Sequence, residues 1–383
     1  MKSLDNKPHK YEVADILREH ISDFQNNNTL CMEQYKAVRD IIECRTARMK
    51  GHLSRCNSCG HIEQSYNSCR NRHCNKCQYL RQVAWAEKVR SRVFPVKYFH
   101  LVFTVPDSLN PLFYLNQRIC YNLMFNGAWS VLRDLCKNPR FLGADTGAIT
   151  MLHTWSSTLT YHPHIHMLVP AGGLSADGME WVKAKRNFLV PVKLLSKIYR
   201  ARFCSTVKEL LADNKLRIPD KMEKKTLLKN LFAKQWVVYA KKTGDSSDRV
   251  IEYLARYTNR VAITNQRIKN YDGQNVTFRY KNHKTGIFDR EMTLEAGEFI
   301  RRFLQHILPE RFYKVRYMGI FASVSIKENT DRYLEMTGQS MHLSTLEGLN
   351  SYEVLRHIRQ EDPLLCKCCK KGKMIPVQFA NTG

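Results

Sequence analysis

Long apolar runs are missing from this chain. None approaches the roughly 18 residues that span a bilayer, and the opening MKSLDNKPHKYEVAD has no apolar core of the kind that directs secretion. A soluble, cytoplasmic protein without a membrane partner is expected. Internal repeats and low-complexity tracts are also missing, which argues against a solenoid. Acidic residues are scarce: 35 Asp+Glu face 61 Lys+Arg in 383 residues, a formal net charge of +26. That deficit asks for a polyanionic partner. Nucleic acid leads, because clustered cations displace condensed counterions whatever base sequence lies beneath; an anionic membrane is the competing sink. With 43% hydrophobic residues, the chain can build cores for two or three compact units.

Cysteine, by contrast, is plentiful at 13 residues. Without a secretion signal these read as metal ligands or reduced thiols rather than disulfides. Cys56, Cys59, Cys69, Cys74 and Cys77 crowd into RCNSCGHIEQSYNSCRNRHCNKC, and Cys366, Cys368 and Cys369 cluster in CKCCKKGK. Cys56/Cys59 and Cys74/Cys77 are two Cys-x2-Cys knuckles, and two knuckles can close one tetrahedral thiolate cage around zinc with no position left for a substrate water. A structural zinc held by these four is therefore expected, in a loop-rich region that needs the metal to fold. Cys69 and His73, with Cys44 and His52 upstream, either form a second interleaved site or are a packed thiol and a solvent-facing imidazole. The tail offers the knuckle Cys366/Cys369 with no second pair nearby, and reads as a reduced, exposed tail at least as readily as a metal site. Arg55, Arg70, Arg72 and Lys76 among the ligands suit phosphate contact or a solvated face.

Hydrophobic spacing predicts two amphipathic helices over residues 11–48 and a helix over 80–94, followed by a strand in KYFHLVFTVP. A helix over 115–136 then precedes two strands, AITMLHTW and LTYHPHIHMLVP. Helix is expected over 191–232, a strand in KQWVVYA, a helix in SSDRVIEYLARYTNRVA and a hairpin over 275–294. Interleaving of this kind predicts an α+β class with a mostly antiparallel sheet. The chemistry divides the chain into a helical and zinc-binding region (1–94), a central region of strands and helices (95–325) and a C-terminal extension (326–383).

In YHPHIHMLVP, His164 and His166 flank Ile165. Side chains alternate along a strand, so both imidazoles emerge on one face while Ile165 enters the core. Two such nitrogens can hold a divalent cation, and His153 on the preceding strand joins them if the two strands pair. Three neutral imidazoles leave positions on Mg²⁺ or Mn²⁺ for phosphate oxygens; structural zinc is the alternative. In IEYLARYTNRVAI, Tyr253 and Tyr257 lie one helical turn apart on one face, beside Arg256 and Arg260. They are candidate nucleophiles, with the arginines as phosphate donors. A phenol of pKa near 10 needs a polarised phosphate to attack at neutral pH, and the alternative is two packed rings.

The segments SYNSCRNRHCNKCQ, YFHLVFTVP, YHPHIHMLVPAGGLS, WVVYAKK, YLARYTNRVAI, VTFRYKNHKTG and RYMGIFA stand in the order found in rolling-circle insertion-sequence transposases. The chain resembles that family over nearly its whole length. The resemblance implies an HUH endonuclease-like antiparallel sheet with flanking helices, preceded by a small zinc-binding domain. It implies Mg²⁺ or Mn²⁺ on His164 and His166, Tyr253 and Tyr257 as nucleophiles, and single-stranded DNA at element ends and target as the substrate, in the nucleoid of a bacterium. Replication initiators and relaxases share this chemistry and form one alternative; a non-catalytic zinc-dependent DNA-binding protein forms another. Asn75 departs from the family pattern, where proline commonly sits inside the second knuckle.

Overall fold

Apolar residues at helical spacing near the N-terminus do form helices. In the computed structural model, which describes residues 10–185, 189–220, 222–233, 236–242, 261–282 and 285–377, α1 spans Val13–Asn27 and α2 Met32–Glu43. On α1 Val13, Ile16, Leu17 and Ile21 are buried; on α2 Ala37, Val38 and Ile41 are buried while Tyr35 is exposed. Beyond them lie β1 (Gly51–Cys56), β2 (Ile62–Tyr66) and α3 (Gln78–Arg90). Next come β3 (Tyr98–Thr104), α4 (Asn110–Leu115), α5 (Gln117–Lys137), β4 (Gly147–Trp155), β5 (Tyr161–Pro170), β6 (Gly172–Leu174) and β7 (Trp181–Lys183). Then follow α6 (Val192–Ala212), α7 (Lys224–Ala233), β8 (Val238–Lys242), β9 (Ile268–Tyr271), β10 (Asn275–Tyr280) and β11 (Arg290–Glu295). The chain continues through α8 (Ala296–Leu304), β12 (Val315–Gly319), α9 (Ile326–Thr337), α10 (Ser351–Arg359) and β13 (Met374–Pro376). The fold is α+β, as expected. Among the described residues no helix is long and apolar enough to cross a membrane.

By its contacts the chain forms two compact units, one of Met1–Trp85, Asn259–Ile307 and Thr345–Gly383, the other of Ala86–Thr258 and Leu308–Ser344. This differs from the linear division into 1–94, 95–325 and 326–383. The reason is pairing between distant segments. In the first unit α1 packs on α8, the backbone N–H of Val13 donates to Asn265 Oδ1 at 3.2 Å, and Gln34 Nε2 donates to the Leu304 carbonyl at 3.1 Å. The C-terminal β13 pairs with β1, which also pairs with β2. The expected hairpin over 275–294 is β10 paired with β11, extended by β9.

The second unit holds a five-stranded sheet in the order β12-β4-β5-β3-β8, each neighbour antiparallel. Its central strand is the histidine strand. Ile165, Met167 and Val169 of β5 lie opposite Phe103, Leu101 and Phe99 of β3, and this face packs with Tyr121, Met124 and Phe125 of α5 and Tyr199 and Phe203 of α6 into one apolar core. A core of that size supports the opposite face without help from a ligand.

Candidate metal centres and nuclease site

The face of the five-stranded sheet turned away from that core carries the histidines. His164 lies directly opposite His153 on β4 and Thr104 on β3, and His166 opposite Met151 and Val102. Opposite residues in an antiparallel pair share a face, so register alone gathers three imidazoles. Nitrogens of His153, His164 and His166 all lie within 4.8 Å of one another. His162, the next residue on the same alternation, turns instead toward Asp107, with Nδ1 3.4 Å from Oδ1.

Hydrogen bonds set which nitrogens face a ligand. His164 Nδ1 lies 2.7 Å from the His162 carbonyl; a carbonyl only accepts, so Nδ1 carries the proton and Nε2 holds the lone pair. His166 Nδ1 lies 2.9 Å from Nε2 of His100 on β3. When that Nδ1 donates, Nε2 of His166 is the ligating nitrogen, and His100 acts as the outer partner that orients it. His153 stacks on Trp155 with ring centroids 4.7 Å apart. Burial pushes the His164 imidazole down to about 4, the bond to the His162 carbonyl opposing; burial and the His164 charge push His100 down to about 4 as well. Both rings are therefore neutral near pH 7, the form in which imidazole ligates a cation. Three imidazole nitrogens fit Mg²⁺, Mn²⁺ or zinc and leave positions open. Tyr253, Tyr257, Arg256 and Arg260 lie outside the described residues.

The cysteines sort differently from their spacing. Sulfurs of Cys44, Cys69, Cys74 and Cys77 gather within 4.8 Å of one another, and those of Cys56, Cys59, Cys366 and Cys369 form a separate group within the same distance. The knuckles Cys56/Cys59 and Cys74/Cys77, expected in one cage, are thus not brought together. Each is completed from elsewhere: Cys74/Cys77 by Cys69 and by Cys44 at the end of α2, Cys56/Cys59 by the tail. Cys44 Sγ is 3.5 Å and Cys69 Sγ 3.6 Å from Cys77 Sγ. Four thiolates at about 2.3 Å from a tetrahedral ion sit roughly 3.8 Å from one another, so these spacings fit zinc.

His73 stays outside both groups; its backbone N–H donates to Asn71 Oδ1 at 2.9 Å. Asn71 also donates to Asp40 on α2 at 2.9 Å, which ties the second knuckle to the helix that brings Cys44. Asn75, standing where proline commonly does, donates from Nδ2 to the Ile263 carbonyl at 2.7 Å, a contact proline could not make. Arg70 is exposed and lines an open hollow with Arg45, Tyr66 and Asn67, whereas Arg72 is half-buried.

Two sequence families match the chain. One described as "Transposase zinc-binding domain" covers residues 16–105, and one described as "Putative transposase" covers residues 147–329. The protein described as "Putative transposase y4qJ" from Sinorhizobium fredii (strain NBRC 101917 / NGR234) is 35% identical, with 96% of this chain and 95% of the relative aligned. The "Transposase for insertion sequence element IS801" from Pseudomonas savastanoi pv. phaseolicola is 27% identical over 88% of this chain and 82% of its own length. No solved structure matches. The helix-backed antiparallel sheet, its histidine face and these matches define a transposase, a protein of mobile DNA whose partner is DNA and which carries structural zinc. Within that class, the chain belongs to the IS91 family of insertion-sequence transposases.

Proposed function

We propose that this transposase cuts and rejoins single-stranded DNA at the ends of its element through 5′-phosphotyrosine linkages, the rolling-circle mode. The observation that carries the proposal is the trio His153, His164 and His166, gathered on one sheet face with nitrogens within 4.8 Å of one another. Divalent Mg²⁺ or Mn²⁺ held there would supply Lewis-acid polarisation of the scissile phosphate. His164 and His166 are the primary ligands and His153 completes the set, while His100 fixes the ring of His166.

Tyr253 or Tyr257 attacks phosphorus through its phenolic oxygen. The phenolic proton is lost, the phosphorus–O3′ bond breaks, and the departing oxygen takes up a proton to become a free 3′-OH. A second tyrosine permits a second cut before the first linkage is resolved. Arg256 and Arg260 offer charge-assisted hydrogen bonds to the phosphate. Arg70 and Arg72 contribute phosphate contacts in the zinc-binding region, which govern affinity rather than chemistry.

Labelled single-stranded DNA carrying an element end, incubated with protein and Mn²⁺ and resolved on a denaturing gel, tests this. Wild type should give a covalent adduct that maps to Tyr253 or Tyr257, and the Tyr253→Phe/Tyr257→Phe double variant should give none. An adduct from the double variant, or one mapped to another residue, overturns the assignment and leaves the transposase family intact.

A further inference from the structure

The tail that ends in Cys366 and Cys369 is held to the N-terminal region by very little apolar surface. Around it the buried cluster consists of Cys56, Cys366 and Met374, with Cys369 packed against it. Ordering one residue costs roughly 1–2 kcal/mol of backbone entropy, and burying one Met side chain returns about 1.5–3 kcal/mol. A cluster this small cannot order a segment whose strand β13 is three residues long. Closing the chain between Cys59 and Cys366, 307 residues apart, adds a further entropic cost. Some other interaction holds the tail.

The four sulfurs supply one. Cys56 Sγ lies 3.7 Å from Cys369 Sγ, and Cys59 Sγ 3.8 Å from Cys366 Sγ. These are the separations of thiolates sharing one tetrahedral ion, for which Zn–S bonds of about 2.3 Å give roughly 3.8 Å. The two knuckles also share a backbone design. In the first, the Gly60 N–H donates to the Cys56 carbonyl at 3.1 Å and the Cys56 N–H to the His61 carbonyl at 2.8 Å. In the tail, the Lys370 N–H donates to the Cys366 carbonyl at 2.9 Å and the Cys366 N–H to the Gly372 carbonyl at 2.8 Å. The residue after each second cysteine is left-handed, Gly60 at φ 73° and Lys370 at φ 55°. A lysine holds that conformation only where its surroundings over-determine it.

Backbone N–H groups point at the sulfurs as they do in thiolate sites: those of Ser58 and Cys59 at Cys56 Sγ, both 3.4 Å, and that of Gly372 at Cys369 Sγ, 3.3 Å. A side chain on Gly372 would begin 2.4 Å from Cys56 Sγ, so the close approach of the two knuckles requires glycine there.

We propose that Cys56, Cys59, Cys366 and Cys369 form a second four-thiolate zinc site, distinct from the Cys44/Cys69/Cys74/Cys77 group, and that this site makes the C-terminal tail part of the zinc-binding module. The module then holds two zinc ions in structurally separate sites. Because β1 runs into Cys56 and β13 follows Cys369, the ion sits at the end of the β1–β13 pair and locks its register.

Zinc content of the full-length protein, purified without added metal and measured by elemental analysis, tests the proposal. Wild type should contain two zinc per chain. Cys366→Ser/Cys369→Ser should retain one, Cys74→Ser/Cys77→Ser should retain one, and Cys369→His, which preserves a ligand, should retain two. To keep the result independent of folding, native wild type is also treated with a thiol-alkylating reagent and the labelled cysteines are mapped. Cys366 and Cys369 should be protected until a chelator removes the metal, whereas the exposed Cys31 should react at once. One zinc in wild type with no change in the Cys366/Cys369 variant, or rapid labelling of both tail cysteines in zinc-loaded protein, overturns the second site.

Discussion

The histidine face and the cysteine groups are both candidate metal centres, yet they are built in opposite ways. The histidines project from three paired positions of a sheet whose other face is buried against α5 and α6. Packing of that other face places them. Around Cys56, Cys59, Cys366 and Cys369 the buried apolar cluster is small, so an ion held there would stand in for the core. The contrast teaches that a site on a packed sheet draws its rigidity from the core behind it, whereas a structural zinc site can be the source of its own rigidity.

The largest effect that could break this contrast is removal of metal. Structural zinc contributes an apparent binding energy of about 10–16 kcal/mol in small zinc domains. A strong chelator should therefore abolish amide-exchange protection in β1, β2 and the segment from Cys69 to Cys77, while β3, β4 and β5 keep theirs. Hydrogen exchange read by mass spectrometry checks this, and simultaneous loss of protection in both regions would show that the histidine face also depends on metal.

A smaller effect comes from the other side of the comparison. Ile165 is fully buried between His164 and His166 on its strand, and Ile165→Ala should cost about 2–5 kcal/mol of stability through lost contacts and a residual cavity. It should leave zinc content unchanged. Chemical denaturation with elemental analysis measures both, and a variant of normal stability would mean that the face is not held by the core behind it.

A graded effect is expected with pH. His100 and His164 are held down to about 4 against an ordinary 6.5. Between those values the unfolded chain binds more protons than the folded one, so stability rises with pH across the interval. The melting transition of the histidine-bearing unit should fall as pH drops from about 6.5 toward 4 and stay level between 7 and 9. Replacing His100 by Gln should flatten part of that slope; an unchanged slope would remove burial of His100 as its cause.

How much of this could be read from the sequence follows from the range of the interactions. His164-Ile165-His166 is legible because alternation is a property of adjacent residues, and the runs flanking it are long enough to mark strands β4 and β5. The placing of His153 needed one further assumption, that those strands pair, and they do. His100 was not legible: KYFHLVFTVP reads as a strand, but only its register against β5 brings that ring to His166. The cysteine spacing shows knuckles without showing which knuckles share an ion. Cys56 and Cys59 are closer in sequence to Cys74 and Cys77 than to their spatial partners more than three hundred residues away. The expected division follows chain order, whereas the compact units join distant segments, and Tyr253 and Tyr257 lie outside the described residues.

The pairing of β1 with β13 also sets a clock on biosynthesis. Cys59 leaves the ribosome 307 residues before Cys366, an interval of about 15–60 s at roughly 5–20 residues per second. Throughout it, β1 presents an open strand edge, a template for unwanted association. The whole five-stranded sheet is translated inside that interval, so it can fold before the module that precedes it in the chain is complete. A product broken off anywhere between the two knuckles keeps that edge exposed.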